Sequence, residues 1–156
     1  MSKEQPTSIQ IAQNRKARFE YEILESFEAG IVLTGSEVKS LRLGKANISD
    51  AHAGAMEGAI WLFNAHIAEY AQAGKYGHTP TQPRKLLLKA KEISRLIGVT
   101  KEKGLTLVPL SMYFNSRGFA KIQLAIGKGK KLHDKRESIK DRDWKREQGR
   151  LLRKDK

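Results

Sequence analysis

Residues 19–44 read FEYEILESFEAGIVLTGSEVKSLRLG, and three local signals follow one another there. Phe19, Tyr21, Ile23 and Phe27 alternate with Glu20, Glu22, Leu24 and Ser26, the two-residue period of a half-buried strand. Glu28-Ala29-Gly30 reads as a turn, and Ile31-Val32-Leu33 as the start of a return strand. Thr34 then opens a helix. Thr34-x-x-Glu37 is a capping box, and Gly44 suits the C-terminal cap. In that helix Val38 and Leu41 face the core, leaving Lys39 and Arg42 near the surface.

Working outward, residues 49–56 and 59–63 read as two more strands joined at Glu57-Gly58, with another near 65–70. Residues 71–83 are rich in Gly, Pro, Thr and His and read as a loop, followed by a short apolar strand at 86–88. Residues 91–103 have helical spacing through Ile93, Leu96 and Ile97. Residues 105–114 and 119–126 form the arms of a hairpin around Asn115-Ser116-Arg117-Gly118. Six to eight short strands, two short helices and hairpin connections predict a mainly β fold. The expected form is a small, closed or partly closed antiparallel barrel of the oligonucleotide-binding type.

The composition narrows the function. The chain has 156 residues, no cysteine, and 30 Lys+Arg against 17 Asp+Glu, a formal net charge of +13. That surplus attracts phosphate backbones or anionic surfaces. The lack of cysteine excludes disulfides, thiolate metal sites and a thiol nucleophile. No apolar run approaches the ~18 residues of a membrane span, and the polar start has no signal-peptide core, so the expectation is a cytoplasmic protein with no membrane partner. Charge is concentrated at the end: residues 127–156 hold 13 Lys and Arg against six acids, a net +7, and few large apolar side chains. We therefore expect two parts, a barrel body over 1–126 and a basic extension over 127–156 that is disordered when free. Asp134-x-x-Glu137 and the pairs Asp141–Lys145 and Glu147–Arg150 suit a marginal helix, stable against a polyanion.

Tests for an enzyme return almost nothing. There is no phosphate-cradling loop, nucleophile elbow or metal-binding helix motif, and His52, His66, His78 and His133 have no ligand spacing. Glu20, Glu22 and Glu25 read as solvated strand positions. No catalytic residue, metal site or cofactor is expected. The basic residues are more informative. Gly127-Lys128-Gly129-Lys130-Lys131 reads as a flexible cationic hinge whose lysines neutralise phosphates. Phe119, Lys121 and Gln123 share the face opposite Ile122, Leu124 and Ile126, where a ring beside a cation can stack a base and hold its phosphate; Phe119 reads equally well as an aromatic at the barrel rim. Asn14-Arg15-Lys16 reads as a basic arm or a disordered start.

Several blocks together resemble one family, the SsrA-binding proteins, also called small protein B. They are NRKA at 14–17, FEAGIVLTGSEVKSLRLGKANISD at 27–50, RKLLL at 84–88, TLVPLSMYF at 106–114 and AKIQLAIGKGKKLHDKR at 120–136. The resemblance implies a non-enzymatic partner of transfer-messenger RNA. Such a protein delivers that RNA, with elongation factor Tu bound to it, to stalled ribosomes for trans-translation. By position, Glu28, Leu87 and Lys121 match family residues associated with RNA binding, and Lys39, Arg42 and Lys45 lie in matching blocks and are expected contacts by charge, as are Lys128, Lys130 and Lys131. His133, Asp134, Lys135 and Arg136 match the motif leading into a tail that acts in the decoding region and empty message channel. Trp144 is expected as an apolar anchor of that tail, and Leu151 and Leu152 match its apolar positions. Thr79, Gln82 and Ala59 depart from the family pattern, which discounts contacts there. The protein is expected to be a monomer. The rival readings are a general ribosome-associated RNA-binding protein without this specificity, and an RNA-processing enzyme.

Overall fold

A computed structural model describes residues 8–130; the expected site positions Lys131, His133, Asp134, Lys135, Arg136, Trp144, Leu151 and Leu152 lie outside the described residues. The chain order is β1 (Ile9–Gln13), α1 (Ala17–Glu20), β2 (Tyr21–Ile31), α2 (Gly35–Arg42), β3 (Ala46–Asn47), β4 (His52–Met56), β5 (Ala59–Phe63), β6 (His66–Ile67), β7 (Arg84–Leu87), α3 (Ala90–Thr100), β8 (Leu105–Phe114) and β9 (Ala120–Gly129). Residues 71–83, expected as a loop, contain a short 3-10 segment at Ala71–Tyr76.

The main sheet runs β1-β8-β4-β5-β7-β2-β9, and β9 also pairs with β8. That last pairing closes the barrel. Strands β4 and β1 share one edge of β8, β4 at Leu107 and β1 from Ser111 to Phe114, while β9 follows the other edge from end to end. Inward residues such as Ile60, Leu62, Leu86, Leu107, Met112, Ile122 and Leu124 are fully buried. Helix α3 packs against β4, β5 and β8 and inserts Leu96 and Val99 into this core. Oligonucleotide-binding barrels belong to this class of closed antiparallel sheet.

The turn expected at Glu28-Ala29-Gly30 does not exist: β2 runs unbroken from Tyr21 to Ile31. Gly30 adopts no positive φ. It sits opposite Leu87, where an added Cβ would stand 3.2 Å from the Leu87 Cβ, so its value is close approach between strands. Ile31-Val32-Leu33 is accordingly the end of β2 and not a return strand; Val32 N donates to Lys85 O and the chain passes into α2. The strict alternation over 19–27 also fails, for two reasons. Phe19 and Glu20 belong to α1, and the register of β2 against β9 shifts between Ile23 and Glu25. A bulge exchanges the faces of a strand. Before it, Tyr21 and Ile23 pack outside the barrel on a second small core of Ala17, Val108, Leu110 and Ala125; after it, Phe27, Ala29 and Ile31 face the main core.

Local signals at helix α2 hold. Thr34 N donates to Glu37 Oε1 at 2.8 Å, Glu37 N donates to Thr34 Oγ1, and Gly44 ends the helix at φ +72°. The turn at Glu57-Gly58 takes two positive φ values, as a tight hairpin requires. Asn14 is no disordered arm: it is buried, and its Nδ2 donates to Pro109 O at 3.0 Å. The expected hinge is also strand. Strand β9 continues to Gly129, three residues past the anticipated boundary, and Gly127 lies under Tyr21, where a Cβ would come within 2.9 Å of the Tyr21 Cβ.

Sequence reading missed a buried ion pair. Arg84, 2% exposed, donates from Nε to Glu37 Oε2, from Nη1 to Ala65 O at 2.7 Å and from Nη2 to Pro80 O at 2.9 Å. Glu37 thus caps α2 with one oxygen and holds Arg84 with the other. Nearby, His78 Nε2 donates to Ile67 O at 2.9 Å, which leaves Nδ1 to accept from Ser36 Oγ at 2.8 Å. These contacts tie α2 to the 65–84 connection.

Candidate nucleic-acid interface

Strand register assembles the interface. Gly30 of β2 is opposite Leu87 on one side and Lys121 on the other, and Lys121 is opposite Tyr113 of β8. Leu87, Gly30, Lys121 and Tyr113 therefore form one row across four strands on the outer face, while their neighbours Leu86, Ile31, Ile122 and Met112 point into the core. The adjacent outer row is Glu28, Gln123 and Ser111, with Ser111 Oγ donating to Gln123 Oε1 at 3.4 Å. Glu28, Leu87 and Lys121, remote in sequence, are neighbours here.

A groove of about 270 Å³ opens beside the first of these rows, lined by Gly30, Val38, Leu87, Phe119 and Lys121 among others. Leu87 is 53% exposed and Phe119 62%, an apolar pair on the surface of a strongly cationic chain. Val38, expected to face the core, is instead half-buried and brings α2 to the groove, and Arg42, four residues on, falls on the same side of that helix. Lys39, Arg42 and Lys45 are exposed; Lys39 Nζ lies 5.5 Å from the centre of the Tyr70 ring. Lys128 and Lys130 are elsewhere. Seven residues of strand separate Lys121 from Lys128, roughly 23 Å, which puts the pair at the opposite end of β9. There Lys130 N donates to Glu20 O. A larger hollow of about 370 Å³, lined by Asn14, Lys16, Glu20, Asp50 and His52 among others, contains none of the expected site residues.

Tyr113 was missed. Its hydroxyl donates to Glu28 Oε2 at 2.5 Å, reaching over β9 from β8 to β2. Burial first, and then the Glu28 carboxylate, push the Tyr113 phenol well above the ordinary tyrosine range. The contact spans two strands and 85 positions, so no local pattern announces it. Glu25, read as solvated, is a partly exposed position and also pairs with Arg95 of α3, whose guanidinium lies 5.8 Å from the Phe27 ring centre. The arrangement offers a flat apolar groove, cations at its side and one fixed carboxylate. It suits a base with its phosphates, and no group of three or more His, Asp or Glu stands together as a metal site among the described residues.

Comparison with known proteins bears on the whole chain. An SsrA-binding protein of Bradyrhizobium sp. strain BTAi1 is 57% identical over 151 residues, covering 97% of this chain and 96% of the relative. One of Rhodopseudomonas palustris strain TIE-1 is 59% identical over 143 residues, 92% of this chain and 91% of the relative. A solved structure described as "tmRNA-SmpB: a journey to the center of the bacterial ribosome" matches with a TM-score of 0.66 at 47% identity, covering 81% of this chain and 92% of that one. The family model described as "SmpB protein" matches residues 11–154, the barrel with its outer rows and nearly all of the extension, and the chain belongs to that family.

Proposed function

We propose that this protein binds transfer-messenger RNA through the outer face of β7, β2, β9 and β8 and carries it to stalled ribosomes for trans-translation. The carrying observation is the single row Leu87–Gly30–Lys121–Tyr113 with Glu28 beside it. Relatives of nearly equal length bear the name SsrA-binding protein, and the solved relative is described with transfer-messenger RNA and the ribosome. Both support the reading. Folded RNA presents backbone and a shallow minor groove, which a cationic face with an apolar groove fits better than a deep catalytic pocket would. The role is one of binding. Residues 131–156 act separately, in the decoding region and empty message channel, through His133, the Asp134-Lys135-Arg136 triplet and the apolar anchors Trp144, Leu151 and Leu152. Capture of the protein from lysate and sequencing of the bound RNA tests the reading. Transfer-messenger RNA should be enriched far above its share of total RNA. Ribosomal RNA in its ordinary proportions, without that enrichment, would overturn it.

A further inference from the structure

Glu28 is out of place by charge. It is an exposed carboxylate on a surface expected to meet phosphates, and among the described residues no Lys or Arg stands within ion-pair distance of it. Lys121 is close by in register, yet the partner Glu28 takes is a neutral phenol. Desolvating a carboxylate beside RNA is costly unless donors meet it. The Tyr113 hydroxyl occupies one of about four lone-pair positions on the two oxygens and fixes the plane of the group. The remaining positions are free of protein partners among the described residues, and Glu28 stands on the outer face two residues along β2 from Gly30, which lines the Leu87–Phe119 groove and adds no side chain to it.

We propose that Tyr113 is a positioning residue, holding Glu28 so that it reads the Watson–Crick edge of an unpaired guanine whose ring lies against the groove. The chemistry selects the base. A carboxylate is acceptor-only, and guanine alone among the standard bases shows two adjacent donors, N1–H and the 2-amino group, on that edge. Adenine and cytosine set an acceptor beside their amino group, and uracil flanks its single N–H with two carbonyls. Unpaired bases are where proteins read such edges in RNA. Lys121, next to Tyr113, holds the adjoining phosphate.

The inference rests on the RNA-binding reading of this face, and the test separates the two. Full-length protein is titrated with the tRNA-like part of transfer-messenger RNA, native or with inosine replacing guanine at one unpaired position at a time. Inosine keeps N1–H and lacks the 2-amino group. Tyr113→Phe should weaken binding of native RNA about tenfold, the loss of a hydrogen bond to a charged group. Glu28→Gln should cost at least as much, and the double variant no more than Glu28→Gln alone. One inosine position should weaken wild-type binding about tenfold and leave Glu28→Gln indifferent. Wild-type affinity in Tyr113→Phe, additive losses in the double variant, or indifference of the wild type to inosine at every unpaired position overturns the guanine proposal. If Lys121→Ala and Leu87→Ala are also silent, the face itself is wrongly assigned. Should Tyr113→Phe fail to fold, the inosine series with wild type and Glu28→Gln decides alone.

Discussion

Two side chains carry more than their neighbours. Glu37 satisfies the start of α2 and is the counter-ion of a nearly inaccessible guanidinium. Breaking such a pair from one side leaves an uncompensated buried charge, so Glu37→Ala should lower unfolding free energy by about 3–5 kcal/mol, read by urea denaturation. The cap alone would account for about 1 kcal/mol. Tyr113 makes a second prediction. Absorbance titration should show the Tyr113 phenol resisting ionisation well above the ordinary tyrosine range. Tyr113→Phe should abolish that late transition. Glu28→Gln should bring it only part of the way down, because burial is the larger cause. The folded state prefers the neutral phenol, so this contribution to stability is complete below about pH 10, the ordinary tyrosine value, and is lost as pH rises through the raised one.

Elements formed where their signals were local. The capping box, the Gly44 stop, the Glu57-Gly58 hairpin and the β8–β9 hairpin were all legible, since each depends on a few adjacent residues. What escaped was set by partners distant in the chain. A bulge between Ile23 and Glu25 divides β2 between two cores, and a matching shift lies in β8 between Pro109 and Ser111. Alternation counted along one strand cannot reveal either. The site divides in the same way: family resemblance supplied Glu28, Leu87 and Lys121, whereas Tyr113 acts across a whole strand and carries no charge to attract notice. Glycine misled twice. Gly30 and Gly127 serve close approach, and neither marks a turn or hinge. Gly127→Ala should therefore cost about 1–3 kcal/mol by thermal unfolding, because its methyl meets Tyr21. Gly129→Ala, with nothing within 4 Å, should be nearly silent. Equal, small effects at both positions would restore the hinge.

For the whole molecule, the net charge is large enough that cationic attraction alone is a serious rival to a specific face. A chain of +13 binds any RNA at low salt. Truncation after Leu132 removes part of that charge and leaves the barrel, so binding to transfer-messenger RNA should persist while tagging on stalled ribosomes fails, even at saturating protein. Restored tagging at high concentration would reduce residues 133–156 to added cationic affinity. The face itself is tested by removing the same charge from two places. Lys121 lies in the outer row, whereas Lys103 is an exposed lysine just beyond α3 with no place in the groove. Affinity for the tRNA-like part of transfer-messenger RNA is measured over a salt series for Lys121→Ala and Lys103→Ala. A specific face predicts about a tenfold loss and a log–log salt slope shallower by about one for Lys121→Ala, with Lys103→Ala close to wild type. Equal losses in both variants would contradict it.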